Sequence, residues 1–403
     1  MKSSTAELRR QVEERARELN GSLIALSHRL HAEPELAFQE HRSAAAIASL
    51  AQKAGFTVQR GAGGLPTAFD ARFGAGDLVI AFCAEYDALP GLGHACGHNV
   101  NAAAATGAAL ALSAVVDALD ITVRLIGTPA EEDGGGKAYL IEAGVFDGVG
   151  AAMMAHADAE DQVHGQSLAI GSWNISYTGR PAHAAAAPWE GVNALDALTV
   201  AQTSLGLLRQ QLPRDAVVHG IVTDGGQAAN VIPAHTAALY EVRADSLARL
   251  RDIQTRVRAC FEAGAVATGA ELEIAPNGRD FAELRQNGEL SELYAAAAEE
   301  LGRNVDRTPH RTGSTDMGNV SQLVPAIHPT IGFDTAGARQ HTAEFAAASA
   351  TPGADRAVLD GAIAMAWTGV ECAAQPALRK RLLTGAQERD ARPAPPDQGR
   401  PPQ

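Results

Sequence analysis

The sequence predicts an α/β fold, with a mixed, largely parallel sheet flanked by helices and an α+β unit inserted into it. Three observations carry this expectation. Apolar runs of strand length alternate with stretches of helical periodicity through residues 1–166, the pattern of strand–helix–strand units. Across residues 167–280 the rhythm changes to strand, helix, two strands, helix and strand, a self-contained set. From residue 281 the first rhythm resumes and runs to residue 385. The expected layout is a discontinuous domain, 1–166 with 281–385, around a second domain, 167–280, and a disordered tail, 386–403.

Residues 6–31 and 41–54 repeat apolar side chains at helical spacing, with Gly55 a stop for the second helix. Strand-like runs follow at 67–73 and 78–84, then a helix at 101–117, a strand at 121–127, a helix at 136–143 and a strand at 151–156. In the inserted stretch, 167–180, 216–223, 230–243 and 270–276 read as strands, and 191–210 and 246–265 as helices. Helices at 288–301 and 354–373 bracket the apolar run 326–333. Beyond Pro376 the chain turns basic and then rich in Pro, Gln and Asp, too polar to pack.

With 403 residues, 46% of them hydrophobic, the chain can bury substantial cores. Its net charge of −14 repels phosphate backbones and anionic lipid, so neither nucleic acid nor a membrane is an expected partner. The charged, amphipathic start lacks the apolar core of a signal peptide. The Ala-rich run 101–116 is too short for a membrane span and holds Thr106 and Ser113, so a buried helix is expected. Cys83, Cys96, Cys260 and Cys372 show no paired framework, which predicts a reducing compartment, the cytoplasm.

Three segments place potential metal ligands just after expected strands. The first runs from Glu85-Tyr86-Asp87 to Cys96-Gly97-His98-Asn99, the second is Glu131-Glu132-Asp133 before a triple glycine, and the third ends at His156. In open parallel sheets ligands gather at the carboxyl ends of strands, so the three would converge on one site. Cys96 and His98 can both reach one ion from a tight glycine turn, and the following helix would favour the thiolate. The bland alternative is an inert cysteine beside a surface histidine. In Glu131-Glu132 one carboxylate can bind metal while the other takes a proton from activated water; otherwise the pair is solvated charge. His156, His341, His183 and Arg243 are each ambiguous alone, Arg243 being either a bidentate carboxylate clamp or the partner of a local acid.

Taken together and in this order, the motifs resemble the M-twenty metallopeptidase family. They are Ala84 to Pro90, Gly93 to Asn99, Gly127 to Glu132, Gly179 to Ala187, Asn230 to Ala234 and Gly313 to Gly318. The likeness spans residues 20–375 and is greatest to the branch of aminobenzoyl-glutamate hydrolase and aminoacylase-1-like dipeptidases. It implies the dinuclear zinc-peptidase type of α/β fold, with the inserted unit a lid and dimerisation domain. It also implies two divalent metal ions, zinc foremost with manganese or cobalt as alternatives, held by Cys96, His98, Glu132, His156 and His341. Glu131 would be the general base and acid, and Asp87 the acid that orients a ligand. His183 would reach a partner's active site in a homodimer to stabilise the oxyanion, and Asn230 and Arg243 would hold the substrate's carboxylate. Many relatives carry Asp where this chain has Asn99, and His-Ser-Pro where it has His341-Thr342-Ala343; Cys96 replaces a bridging carboxylate.

The expected function is metal-dependent cleavage of the amide bond of small N-acyl or N-aroyl amino acids, or dipeptides, bearing a free carboxylate. One rival is a non-catalytic metal-binding subunit or scaffold, against which stands Glu131, which no binding role requires beside Glu132. A zinc deaminase is the other, but that chemistry expects a Cys-x-x-Cys motif this chain lacks.

Overall fold

The computed structural model of the chain describes residues 4–390. They divide into two compact units, one drawn from the chain up to Gln166 and from Leu284 onward, the other from Ser167–Glu283. In chain order the first unit opens with α1 (Thr5–Ala32), α2 (His41–Lys53), β1 (Thr57–Arg60), β2 (Phe69–Gly74), β3 (Leu78–Ala84), α3 (His98–Leu112) and α4 (Val116–Leu119). It continues with β4 (Ile121–Gly127), α5 (Gly136–Glu142), β5 (Val149–Met153), β6 (His156–Asp158) and β7 (Gly165–Gln166). The second unit holds β8 (Ala169–Thr178), α6 (Ala194–Leu208), β9 (Val217–Asp224), β10 (His235–Ala244), α7 (Leu247–Thr268) and β11 (Glu271–Pro276). The chain then supplies α8 (Gly288–Glu300), β12 (His310–Arg311), α9 (Met317–Leu323), β13 (Ala326–Ile327), β14 (Thr330–Gly332), α10 (Ala343–Ala348), α11 (Pro352–Ala374) and α12 (Pro376–Asp390).

The main sheet has the order β1-β2-β4-β3-β5-β13. Strands β4, β3, β5 and β13 run parallel, while β1 and β2 are antiparallel additions at one edge. Central parallel strands are covered on both faces and so need near-continuous apolar runs; in β3, Leu-Val-Ile-Ala-Phe-Cys-Ala, every residue but Val79 is buried. The register pairs Ala84 with Gly127, so β3 and β4 end level, and β5 lies on the other flank of β3. The three motifs that follow these strands therefore leave the sheet side by side.

Helix α3 is buried along its whole length and packs on α1 and α11. Its alanines and Gly107 permit that approach: a Cβ at Gly107 would stand 2.7 Å from Leu23 and 2.8 Å from Ala362. With the turns that follow, this helical run reaches 22 residues, His98–Leu119, so its length does not exclude a membrane span as the shorter reading did. It and α11 are both long and apolar enough, and both are core helices, their most apolar windows 78% and 83% buried.

Three further expectations change. His156 opens β6 rather than closing β5, because the His156 amide bonds to Pro329 O and β6 pairs with β14. The run 326–333 splits into β13 and β14, which belong to different sheets. Of the tail expected to be disordered, residues 386–390 continue α12, and 391–403 lie outside the described residues.

The second unit is an antiparallel sheet of order β11-β8-β10-β9 with α6 and α7 packed on it. Alternation along β8 and β10 sends Trp173, Ile175, Tyr177, Tyr240 and Val242 into its core with Phe261. Strand β9 ends the sheet and leaves Ile221 and Val222 63% and 45% exposed.

Candidate metal centre

The turn between β3 and α3 depends on Gly97, whose φ of +73° lies in the left-handed region. That turn brings Cys96 and His98 to one side instead of the different faces that a helix would give them. Two other donors sit at left-handed residues: Ala130, just before Glu131, has φ +59°, and His341 itself has φ +65°. Non-glycine residues adopt this region only where their surroundings hold them. Ala130 is held by its N–H, which donates to Glu40 Oε1 at 2.8 Å, and His341 by its N–H to Ala95 O at 2.8 Å.

The donors form two groups that share one thiol. Cys96, His98 and His156 place ligand atoms within 4.8 Å of one another, and so do Cys96, Glu132 and His341. Glu131 joins a third set with His98 and Glu132. Cys96 Sγ lies 3.7 Å from His156 Nε2, and His341 Nε2 lies 3.4 Å from Glu132 Oε2. Both buried imidazoles are oriented. His98 Nδ1 donates to Asp87, 3.0 Å from its carbonyl and 3.1 Å from Oδ1, and His156 Nδ1 donates to Ala157 O at 2.9 Å. Each ring therefore turns its Nε2 atom into the site. Gln340, which no motif pointed to, fixes Ala157 O from the other side through Nε2 at 2.9 Å.

The electrostatics are those of a cage built for cations. Burial, then Glu85 and Glu132, push the Glu131 carboxyl well above its ordinary range. Burial and the Glu132 charge likewise raise the Cys96 thiol, contrary to the helix-favoured thiolate expected from sequence. Burial is the largest of these causes, and the helix itself begins only at His98. His98 Nε2 and Glu132 Oε1 are buried and have no hydrogen-bond partner. Orphaned buried polar atoms are costly, and here they lie among a thiol, imidazoles and carboxylates, the donor set of divalent transition metals. The residues fit two such ions.

Behind the donors lies a network that joins Glu85 and Asp316, both within the sequence motifs, to Lys137, which lies outside them. Lys137 Nζ lies 2.5 Å from Glu85 Oε1 and 2.6 Å from Asp316 Oδ1, with all three side chains fully buried. Burial works against ionised Glu85, but Lys137, His98 and His156 hold it down to about 2. Asn99 ties neighbouring elements together: its Nδ2 donates to Ser27 Oγ and Ser349 O. Nothing in the spacing of Glu85 and Asp316, which lie 52 and 179 residues from Lys137, could have joined the three.

The other three assigned residues belong to the second unit. His183 is exposed, and its Nδ1 accepts from the Ala185 and Ala186 amides at 3.2 and 3.1 Å, which leaves the proton on Nε2. Asn230 lies beside it in a loop before β10, its carbonyl accepting from Ala184 N at 3.0 Å. Arg243, on β10, pairs with a local acid: its Nη2 donates to Glu241 Oε2 at 2.9 Å, with His219 at 3.4 Å from its Nε.

Comparison with known proteins accords with this chemistry. Residues 81–358 match the family described as Peptidase family M20/M25/M40. A Mus musculus protein named Xaa-Arg dipeptidase is 40% identical over 402 residues, covering 93% of this chain and 92% of that protein. One of the two p-aminobenzoyl-glutamate hydrolase subunits of Escherichia coli strain K12 is 38% identical over 261 residues, covering 60% of this chain and 54% of its own length. Among solved structures, a dinuclear metal-binding peptidase from Bacillus subtilis superposes with a TM-score of 0.64 at 23% identity, covering 88% of this chain and 98% of that one.

Proposed function

The chain belongs to peptidase family M20/M25/M40, and from that premise we propose that it is a two-metal dipeptidase for small substrates with a free carboxylate. The observation that carries this reading is the pair of three-donor groups sharing Cys96, with Glu131 beside them. Cys96, His98 and His156 would hold one ion, and Cys96, Glu132 and His341 the other. When bound, the ions supply Lewis-acid activation of water and of the scissile carbonyl. A shared thiolate with imidazoles favours zinc.

The chain's own residues do the proton chemistry. Glu131, whose carboxyl is raised by burial and by Glu85 and Glu132 and which stands beside the donors, is assigned the proton of the attacking water and its return to the leaving amine. Asp87 positions two donors, taking His98 Nδ1–H on Oδ1 and the Glu132 amide on Oδ2 at 2.8 Å. His183, with Nε2–H free to donate, is assigned to the oxyanion, and a donor aimed at developing charge is worth roughly 3–4 kcal/mol. Asn230 and Arg243, whose Nη2 also donates to Glu241, are assigned to the substrate's carboxylate. A homodimer through the inserted unit is supported by the unpaired edge β9, with Ile221 and Val222 exposed on it. Four free cysteines, one of them the proposed ligand Cys96, suit the reducing cytoplasm.

The substrate follows the full-length relative named for dipeptides ending in arginine, with aminobenzoyl-glutamate the second choice on the shorter match. The test is hydrolysis of a panel by zinc-loaded protein: dipeptides ending in basic or neutral residues, N-acyl amino acids and aminobenzoyl-glutamate, each with and without chelator. Chelator-sensitive cleavage, greatest for dipeptides with a basic second residue, is expected. Glu131→Gln should lower kcat by at least about 10²-fold while metal content stays at the wild-type level. Cleavage that survives complete metal removal would refute the reading.

A further inference from the structure

The buried cluster behind the donors has a geometry of its own. Glu85, Glu131 and Asp316 each offer an oxygen within 4.8 Å of the others. The cluster adjoins the proposed ligands, since His98 Nε2 lies 3.6 Å from Glu85 Oε2 and 3.8 Å from Glu131 Oε2. Three converging carboxylates of this kind would accept a cation, and one is present as a side chain. The Lys137 ammonium stands 2.5 Å from Glu85 and 2.6 Å from Asp316, fully buried. We propose that Lys137 is a tethered cation that fills a third position next to the two-metal site, keeps Glu85 and Asp316 from binding metal, and so limits the centre to two ions.

The surroundings hold that position open without the ammonium. Asp316 Oδ2 also accepts from the Lys137 backbone N–H at 2.9 Å, a bond any residue at 137 retains. Glu85 Oε2 faces Asn101 Nδ2 at 3.5 Å, and Asn101 is anchored through Oδ1 by the Ala157 amide at 2.8 Å. Asp316 precedes α9, and Glu85 directly follows β3, so both carboxylates issue from rigid elements. Removing only the positive charge leaves buried carboxylates uncompensated, a cost that another cation or a proton would relieve, and the ion count distinguishes the two. Lys137 is thus a positioning residue: it touches carboxylates, not substrate. A lysine serves this purpose because it delivers a compact point charge on a stem that packs in the core.

The inference rests on the two-metal reading, and the experiment separates the two. Wild type, Lys137→Met and the double variant Lys137→Met/Asp316→Asn are dialysed against Mn²⁺ and their bound manganese counted by elemental analysis. Wild type should hold two equivalents, Lys137→Met one more, and the double variant should return to the wild-type count. A folded Lys137→Met that binds no more than wild type overturns the proposal. Should Lys137→Met be insoluble, adding Mn²⁺ to the growth medium should restore its soluble yield, and failure to do so overturns it equally. A lysine serving only to pack the core would not change the ion count. A wild-type count other than two would sink the two-metal reading, whereas the difference between variant and wild type tests Lys137 alone.

Discussion

Asp87 uses both carboxylate oxygens, Oδ1 for His98 Nδ1 and Oδ2 for the Glu132 amide. One buried residue therefore aligns a proposed ligand in each donor group, the role an acid serves at this position. Glu40 works at the next remove, accepting the Ala130 amide at 2.8 Å and so bracing the residue before Glu131. Burial and the nearby Asp87 charge raise its carboxyl from 4.5 to about 8. The folded value lies above the unfolded one, so the native state binds the extra proton and stability falls with rising pH. This contribution is complete below about 4.5 and is lost as pH climbs through about 8. Urea midpoints measured across that window should decline for wild type, and Glu40→Gln should flatten the decline. An unchanged slope in the variant would assign the effect elsewhere.

Three loops carry the donors, and each is shaped by one left-handed residue at or next to a ligand: Gly97, Ala130 and His341. At Gly97 the constraint is doubled. Its φ is +73°, and a Cβ there would stand 2.4 Å from the Cβ of Ala157 on β6, the neighbour of His156. Gly97→Ala should cost roughly 2–4 kcal/mol, combining the left-handed penalty with overpacking. Because Gly97 separates Cys96 from His98, the same change should lower metal occupancy at fixed free metal. Chemical denaturation with elemental analysis reads both, and full occupancy in a destabilised variant would show that the turn serves stability alone. The helix α3 shows the complementary case, in which small residues serve packing: Gly107 exists for the contact with Leu23 and Ala362.

At the scale of the molecule, all five assigned ligands belong to the first unit, and none to Ser167–Glu283. Stripping metal should therefore destabilise the first unit through the released repulsion among Glu85, Glu131 and Glu132. Ligand at a thousandfold excess over its Kd contributes about 4 kcal/mol, so the melting transition of that unit should fall by on the order of 10 °C. Calorimetry of the chelated protein should show this loss, reversed by Zn²⁺ or Mn²⁺, with any transition of the second unit unmoved. No shift on chelation would mean that the donors hold no metal in solution. The α/β class and the three ligand-bearing turns were legible because strand and helix periodicities are local, and parallel sheets place ligands at strand ends. The resemblance likewise rested on short contiguous motifs. Local signals did not reach the break between β5 and β6, since that break comes from pairing with β14, whose strand lies far along the chain. Nor did they reach the burial that raises the Cys96 thiol, the engagement of Arg243 by Glu241, or the salt-bridged core of Glu85, Lys137 and Asp316. By itself the sequence determined which residue types stand at the ends of which strands. Only the tertiary structure decided which charges face each other out of water, because burial and distance, neither of which is a property of neighbours in the chain, set those energies.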